Sequence, residues 1–186
     1  RVTAVVALAL PLVLVAVHRG GRAAEVVEVR LELVRRALRV DEDDRLAGDR
    51  LEQLHAKGRL AVPTRFRDGF RQIDCNLLVL TLNPWDRSIW LYPQSEWEHI
   101  EHKLSALADN DRNSRRTKQI MRGYATDCIL DNQGRILLPA ELREIAGLEK
   151  KASLLGQGNK LELWNSDVWE GERERWLAEV TDGSLA

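Results

Sequence analysis

The chain has 186 residues, a length that suits one domain or two small, closely packed halves. Its 28 basic and 29 acidic side chains give a formal charge of −1, which argues against a protein that coats nucleic acid non-specifically. A nucleic-acid-binding protein with this balance must gather its cations on one face. Two distant cysteines, Cys75 and Cys128, show no C-x-x-C spacing, so we expect buried, reduced thiols.

The first 44 residues form a leader that differs from the rest of the chain. Residues 2–17 are almost wholly apolar, a little short for a membrane-spanning helix and closer to a signal-peptide core. A charged stretch over 24–44 follows and could form an amphipathic helix. The chain starts with Arg, and the leader has the Val, Ala, Arg and Leu content typical of translated GC-rich DNA. We therefore expect an upstream-start artefact or a dispensable extension, with a membrane anchor as the alternative.

The remainder of the chain contains one sequence unit twice. Residues 57–68 read KGRLAVPTRFRD, and residues 133–144 read QGRILLPAELRE. The identical positions in the two copies are Gly58, Arg59, Pro63 and Arg67, and Gly134, Arg135, Pro139 and Arg143. A second pair of similar segments follows, LYPQSEW over 91–97 and LWNSDVW over 163–169. These two segments are 72 residues apart in the chain, whereas the first two are 76 residues apart. The duplication predicts a domain with pseudo-two-fold symmetry.

Each copy predicts the same order of elements. A polar tip with a glycine suits a tight turn, a short apolar run (60–62 or 136–138) suits a strand, and a proline then opens a short helix. These short helices are expected over 64–70 and 140–146, the second closed by Gly147. Further strands are expected over 77–82, 89–92, 152–155 and 161–164. A closing helix ends each copy, and Ser95 with Glu98 predicts a capping box in the first. The order describes a β-rich α+β fold.

These residues resemble the MraZ family, bacterial repressors of the division and cell-wall gene cluster among the AbrB-like swapped-hairpin DNA-binding proteins. The family's D-x-x-x-R motif stands in the second copy as Asp131 to Arg135, whereas the first copy carries His55 before Arg59. The blocks AKGRLAVPTRFRD, LYPQSEWEHIEHKL, GYATDCILDNQGRILLP and LLGQGNKLELW are also similar to the family's wording. The resemblance covers roughly residues 45–176, and His55 puts one ion pair of the first motif in doubt.

The resemblance implies a fold, a function and partners. It implies a duplicated swapped-hairpin unit (a double-split β-barrel) with short helices, with repeats over 45–110 and 111–178 and a polar tail over 179–186. It implies a cytoplasmic, nucleoid-associated repressor that reads direct repeats in double-stranded DNA of its own promoter region and assembles into a homo-oligomeric ring. The alternative is an AbrB-fold interaction module, antitoxin-like or membrane-tethered, in which DNA binding is secondary. Neither function involves a small-molecule substrate or a cofactor.

The expected DNA-binding residues lie in and beside the two hairpin tips. They are Lys57, Arg59, Arg65, Gln133 and Arg135. Arginine can bind guanine in the major groove through two hydrogen bonds, and lysine more often neutralises phosphate. The residues expected to support the motif are His55, Gly58, Asp131 and Gly134. For Arg135 the alternative is a purely structural ion pair with Asp131, four residues earlier.

Other polar groups carry weaker signals. A basic run over 112–122, expected on a helix ending at Gly123, is typical of a solvated face, or of a surface for a neighbouring subunit. His99 and His102 lie one helical turn apart but lack a third ligand cluster, so no metal site is predicted. Nucleophile-elbow, Walker and dinucleotide-binding motifs are missing, and the sequence therefore predicts no enzyme. Recurring Trp97 and Trp169 are expected to be structural equivalents.

Overall fold

A computed structural model describes residues 50–72 and 75–181. The leader over 1–44 and the end of the tail, 182–186, lie outside the described residues. The first copy comprises β1 (Arg50–Gln53), β2 (Arg59–Ala61), α1 (Thr64–Gln72), β3 (Leu77–Leu82), β4 (Ser88–Pro93) and α2 (Gln94–Ala106). Helix α3 (Arg112–Gly123) connects it to the second. The second copy comprises β5 (Thr126–Ile129), β6 (Arg135–Leu137), α4 (Ala140–Ile145), β7 (Lys151–Gly156), β8 (Leu161–Asn165) and α5 (Ser166–Thr181).

The two copies exchange strands. A six-stranded antiparallel sheet has the order β1-β7-β8-β4-β3-β5, and β2 pairs with β6 in a separate two-stranded ribbon. The first strand of each copy therefore pairs with the third strand of the other, β1 with β7 and β5 with β3. Swapping the copies leaves the order of both sheets unchanged, so the pseudo-two-fold symmetry predicted from the repeat is present in the topology.

Most predicted elements are confirmed. The strands expected over 77–82, 89–92, 152–155 and 161–164 lie within one residue of β3, β4, β7 and β8 at each end. Strands β2 and β6 begin one residue earlier than predicted, at the arginines of the turns. The short helices begin directly after Pro63 and Pro139, and Gly147 takes a φ of +65° just past the end of α4. These elements confirm a β-rich α+β fold.

Two features of the local prediction were incomplete or wrong. Strands β1 and β5 were not predicted, and they make each polar tip the turn of a hairpin rather than the start of the unit. The capping box at Ser95 was wrong: α2 begins at Gln94, its N-cap is Pro93, and no side chain caps it. Pro93 already has a φ of −56° at the end of β4, so the helix starts before Ser95 can act as a cap.

One apolar core joins the two copies. Leu60 and Leu78 of the first copy and Ile136 and Leu138 of the second are each at most 1% exposed in a single cluster. Burial of each such side chain stabilises the fold by about 1.5–3 kcal/mol. Because the two copies contribute side chains to the same cluster, neither copy can bury its apolar surface without the other. Both cysteines are buried, as predicted, and burial raises the pKa of Cys128 to about 11, which keeps that thiol protonated.

Under each closing helix lies an aromatic cluster. Trp97 at the start of α2 packs on Tyr92, and Trp169 at the start of α5 packs on Trp164, with ring centroids 5.8 and 5.7 Å apart. These contacts support the structural equivalence predicted for Trp97 and Trp169. In the part of the chain that the structure describes, no helix has both the length and the apolar character needed to cross a membrane.

Candidate nucleic-acid interface

The two repeated arginines share the outer face of the β2–β6 ribbon. In its register, Arg59 pairs with Leu137 and Ala61 pairs with Arg135, while Leu60 and Ile136 point inward and are buried. Alternate residues of a strand point to opposite faces, so both arginines project away from the core. Arg59 and Arg135 are diagonal neighbours, a relation that places side chains about 7–8 Å apart at their base. The ribbon thus presents two cations close together.

The turns that precede these arginines lie at opposite ends of the ribbon. We call residues 55–58 the first turn and residues 131–134 the second turn. Because β2 and β6 run antiparallel, their amino-terminal ends, and with them the two turns, lie at opposite ends of this short ribbon. Each turn is held by the other copy: Val62 N–H donates to the Gly134 carbonyl at 2.9 Å, and Leu138 N–H to the Gly58 carbonyl at 2.8 Å.

The second turn is fixed by the carboxylate of Asp131. Its Oδ1 accepts from the backbone N–H groups of Gln133 and Arg135, at 2.8 and 2.9 Å. Its Oδ2 accepts from the Arg135 side chain, with Nε at 2.9 Å and Nη2 at 2.8 Å. The hydrogen bond from the Arg135 backbone, with smaller contributions from its side chain and from Gln133, lowers the pKa of Asp131. The ion pair predicted as the alternative role of Arg135 is therefore present, and the arginine side chain remains 34% exposed.

The first turn has the same backbone but a looser arginine. His55 N–H donates to the Arg59 carbonyl at 2.9 Å, as Asp131 N–H does to Arg135 at 2.8 Å, and His55 Nδ1 accepts from Lys57 N–H at 3.2 Å. Within residues 50–72 and 75–181, no hydrogen bond or ion pair joins His55 to the guanidinium of Arg59. The imidazole thus replaces one of the backbone hydrogen bonds that Asp131 accepts. It leaves the Arg59 side chain without an ion pair among the described residues.

Two helix arginines pack against the glycines of the turns. A Cβ at Gly134 would overlap Cδ of Arg67 in α1, and a Cβ at Gly58 would lie 3.0 Å from Nε of Arg143 in α4. Arg143 also donates to the Leu138 carbonyl at 3.2 Å. These arginines recur in the repeat, but their contact with the turn of the opposite copy depends on the strand exchange, which sequence reasoning did not place. Gly58 and Gly134 have φ values of +79° and +73°, so the expected positive φ is confirmed at both.

The remaining predicted site residues occupy different environments. Lys57 and Gln133 are exposed, one at each turn. Arg65 lies on α1 with its guanidinium carbon 4.5 Å from the centre of the Phe66 ring, so part of its cation faces an aromatic side chain. The structure therefore brings Arg59 and Arg135 together on the ribbon, places Lys57 and Gln133 at its two ends and leaves Arg65 on the neighbouring helix.

The basic run on α3 is partly neutralised. Lys118 is buried and pairs with Asp109, and Arg122 pairs with Glu101 of α2 at 2.8 Å. Arg112 and Arg116 are exposed. Across the described ranges, no three His, Cys, Asp or Glu side chains are grouped so that they could hold a metal ion.

The observations together define a class: a duplicated β-rich α+β protein whose copies exchange strands around a ribbon that carries two outward-facing, half-buried arginines. Comparison with known proteins identifies its family. A family model described as MraZ protein, with the qualifier antitoxin-like, matches residues 46–120 and 121–179.

Curated relatives agree with this match. A protein of Marinomonas sp. (strain MWYL1) is 48% identical over 124 residues, 67% of this chain and 82% of the relative. A protein of Thioalkalivibrio sulfidiphilus is 47% identical over 126 residues, and one of Legionella pneumophila (strain Corby) is 43% identical over 133. They cover 68% and 70% of this chain and 83% and 88% of the relatives, and all three bear the name transcriptional regulator MraZ. The chain belongs to the MraZ family of transcriptional regulators, and it is not an enzyme.

Proposed function

We propose that this protein is a sequence-specific DNA-binding repressor of the division and cell-wall gene cluster, and that the outer face of the β2–β6 ribbon reads the promoter. We further assign its fold to the AbrB-like swapped-hairpin class. The observation that carries the DNA-binding proposal is the shared outward face of Arg59 and Arg135, which the paired register of β2 and β6 imposes.

The geometry of the ribbon suits a major groove. A two-stranded β-ribbon is narrow enough to enter that groove, where guanine presents two acceptors that one arginine can bind together. Arg135 is held by Asp131, so its guanidinium is positioned before DNA arrives, whereas Arg59 makes no ion pair with another described residue. Lys57 and Gln133, at the two ends, extend the same surface toward phosphates and base edges.

The overall charge balance agrees with local readout. A chain with a net charge of −1 gains little from long-range attraction to DNA, so affinity must come from the few cations of the ribbon. One ribbon offers too few contacts for tight binding, and we propose that several copies, arranged as a ring, address successive direct repeats. Linking weak sites in this way can raise the total affinity by about 10²–10⁴. Such a repressor would act in the cytoplasm, at the nucleoid.

The test compares Arg59→Ala with Arg175→Ala on duplex DNA from the protein's own upstream region. Arg59→Ala should abolish the specific electrophoretic shift and leave the size-exclusion profile unchanged, because the side chain contributes to no described ion pair. Loss of one good bidentate contact is worth about 1–3 kcal/mol per copy, and multivalency amplifies it. Arg175→Ala removes an exposed arginine that pairs with Glu172 and Glu179 on α5, and it should shift the promoter like the wild type.

Arg135→Ala should also weaken the shift, but with a lower unfolding midpoint, since Asp131 loses its partner. If Arg59→Ala binds the promoter normally, or if wild-type binding is indifferent to salt, the ribbon is not the reading surface.

A further inference from the structure

The outer face of the β2–β6 ribbon carries two apolar side chains beside its two arginines. Leu137 lies opposite Arg59, and Ala61 lies opposite Arg135. Leu137 is 60% exposed, and Ala61 is exposed as well. The leucine therefore adds little to the apolar core that the inner face of the ribbon helps to build. It is the larger of two apolar groups on a surface whose other side chains are cations.

Arg59 and Leu137 form one of the close pairs of the ribbon. Leu138 N–H donates to the Gly58 carbonyl, so the adjacent pair, Arg59 with Leu137, is of the kind that exchanges no backbone hydrogen bond. Side chains lie closer together in such a pair, with Cβ atoms about 4.5–5.5 Å apart. The leucine and the guanidinium therefore project side by side from one face.

In a major groove these two side chains would meet different base edges. Base pairs follow one another about every 3.4 Å, so a guanine bound by Arg59 leaves Leu137 facing the edge of a neighbouring pair. A leucine has neither a donor nor an acceptor, and the apolar group on these edges is the C5-methyl of thymine. Next to another base, Leu137 would cover polar atoms without pairing them, which costs desolvation free energy.

We propose that Leu137 contacts the C5-methyl group of a thymine that neighbours the guanine bound by Arg59. The arginine then selects the guanine and the leucine selects the thymine beside it. Ala61 presents a single methyl group opposite Arg135, so the corresponding contact at the other end of the ribbon is weaker. This inference rests on the proposed function, because it requires the ribbon to lie in the major groove.

Uracil in place of thymine tests the contact, because uracil lacks the C5-methyl group and keeps the same hydrogen-bonding atoms. Duplex DNA from the protein's own upstream region is amplified with dTTP or with dUTP, and the full chain is titrated against each product in an electrophoretic shift. The wild type should bind the uracil duplex at least about fourfold more weakly, the ratio expected for one lost methyl contact. Several ribbons on tandem sites would increase this ratio.

Variants at position 137 connect the loss to the leucine. Leu137→Ala should bind the thymine duplex about fourfold more weakly than the wild type, and it should lose most of the discrimination between the two duplexes. Both changes remove the same contact, so their effects are not additive. Leu137→Met keeps an apolar side chain of similar volume and should retain the preference for thymine.

The control is Val168→Ala, which shortens an exposed aliphatic side chain on α5. Trp169 of α5 packs against Trp164, whereas Leu163 lies in the core cluster together with Ile136 of the ribbon. Successive residues of a strand point to opposite faces, so α5 and the ribbon lie on opposite faces of the six-stranded sheet. Val168→Ala should therefore bind both duplexes like the wild type.

The inference is overturned if Leu137→Ala lowers the affinity for both duplexes by the same factor, because the leucine would then only support Arg59. It is also overturned if Leu137→Ala changes the size-exclusion profile, since the leucine would then belong to a contact between copies. A wild type that shifts the thymine duplex and is insensitive to uracil overturns this inference alone. A wild type that shows no shift at all overturns the proposed function with it.

Discussion

The first and second turns have one backbone and two different chemistries. Both close with a glycine at positive φ, both receive a backbone hydrogen bond from the other copy, and both pack against an arginine of the opposite short helix. Only the second has a carboxylate at its start, where Asp131 accepts from two backbone N–H groups and from Arg135. His55 accepts from one N–H group.

The difference separates what shapes the turn from what restrains its arginine. Glycine and backbone bonds are sufficient for the shape, since it persists with histidine in place of aspartate. The carboxylate determines whether the arginine is held in place or free. A held arginine loses less entropy on binding and is also less able to adjust, so the two ends of the ribbon should read DNA with unequal stringency.

Removing either glycine should have the largest effect, because it breaks what the turns share. In Gly58→Ala the new Cβ would lie 2.9 Å from the Leu138 carbonyl oxygen, and in Gly134→Ala it would displace Arg67. Positive φ costs about 1–2 kcal/mol and overpacking about 1–3, so each change should lower the free energy of unfolding in urea by about 2–5 kcal/mol. Gly158→Ala, with a φ of +79° and no atom within 4 Å, should show only the first cost. An equal loss at Gly158 would contradict the packing argument.

Changing Asp131 should have an intermediate effect, because it removes the carboxylate that distinguishes the second turn from the first. Asp131→Ala should lower the unfolding midpoint, whereas Asp131→Asn can still accept from the backbone and should lower it less. The folded-state pKa of Asp131 is depressed, so its stabilisation is present above the unfolded-state pKa and is lost as the pH falls through the folded-state pKa. The stability gap between wild type and Asp131→Ala should therefore close in acid, and a gap independent of pH would show that ionisation is irrelevant.

The smallest effect is expected for His55→Asp, which supplies the missing carboxylate. The new group should accept from the backbone as Asp131 does and tie down Arg59, raising the unfolding midpoint slightly. Promoter affinity should stay unchanged or rise slightly, as measured by titration in an electrophoretic shift. A large loss of affinity would instead mean that His55 itself contacts DNA. The double variant with Asp131→His would exchange the side chains that begin the two turns. Arg59 should then be held by a carboxylate, and Arg135 should not.

The sequence predicted the repeated unit but not how the two copies exchange strands. The repeat predicted two copies, and the turn glycines, the prolines and the apolar runs placed most elements, because these signals are local. Strands β1 and β5 were missed because four residues such as RLEQ or TDCI show no clear alternation of apolar and polar residues in the sequence. The partners of exchanged strands are determined by packing between distant parts of the chain. The local sequence therefore could not predict at which end of the ribbon each turn lies, nor that Arg67 and Arg143 contact the turns.

The exchange of strands also determines when the sheet can form during synthesis of the chain. Arg50 and its partner Leu154 lie more than a hundred residues apart in the chain. At about 5–20 residues per second, β1 waits several seconds or more after translation for β7, with its edge open to other chains. Neither half can complete its sheet while the ribosome still holds the other half. We therefore expect that the first half folds only once β7 has been synthesised, and that truncated products lacking β7 associate with each other instead of folding alone.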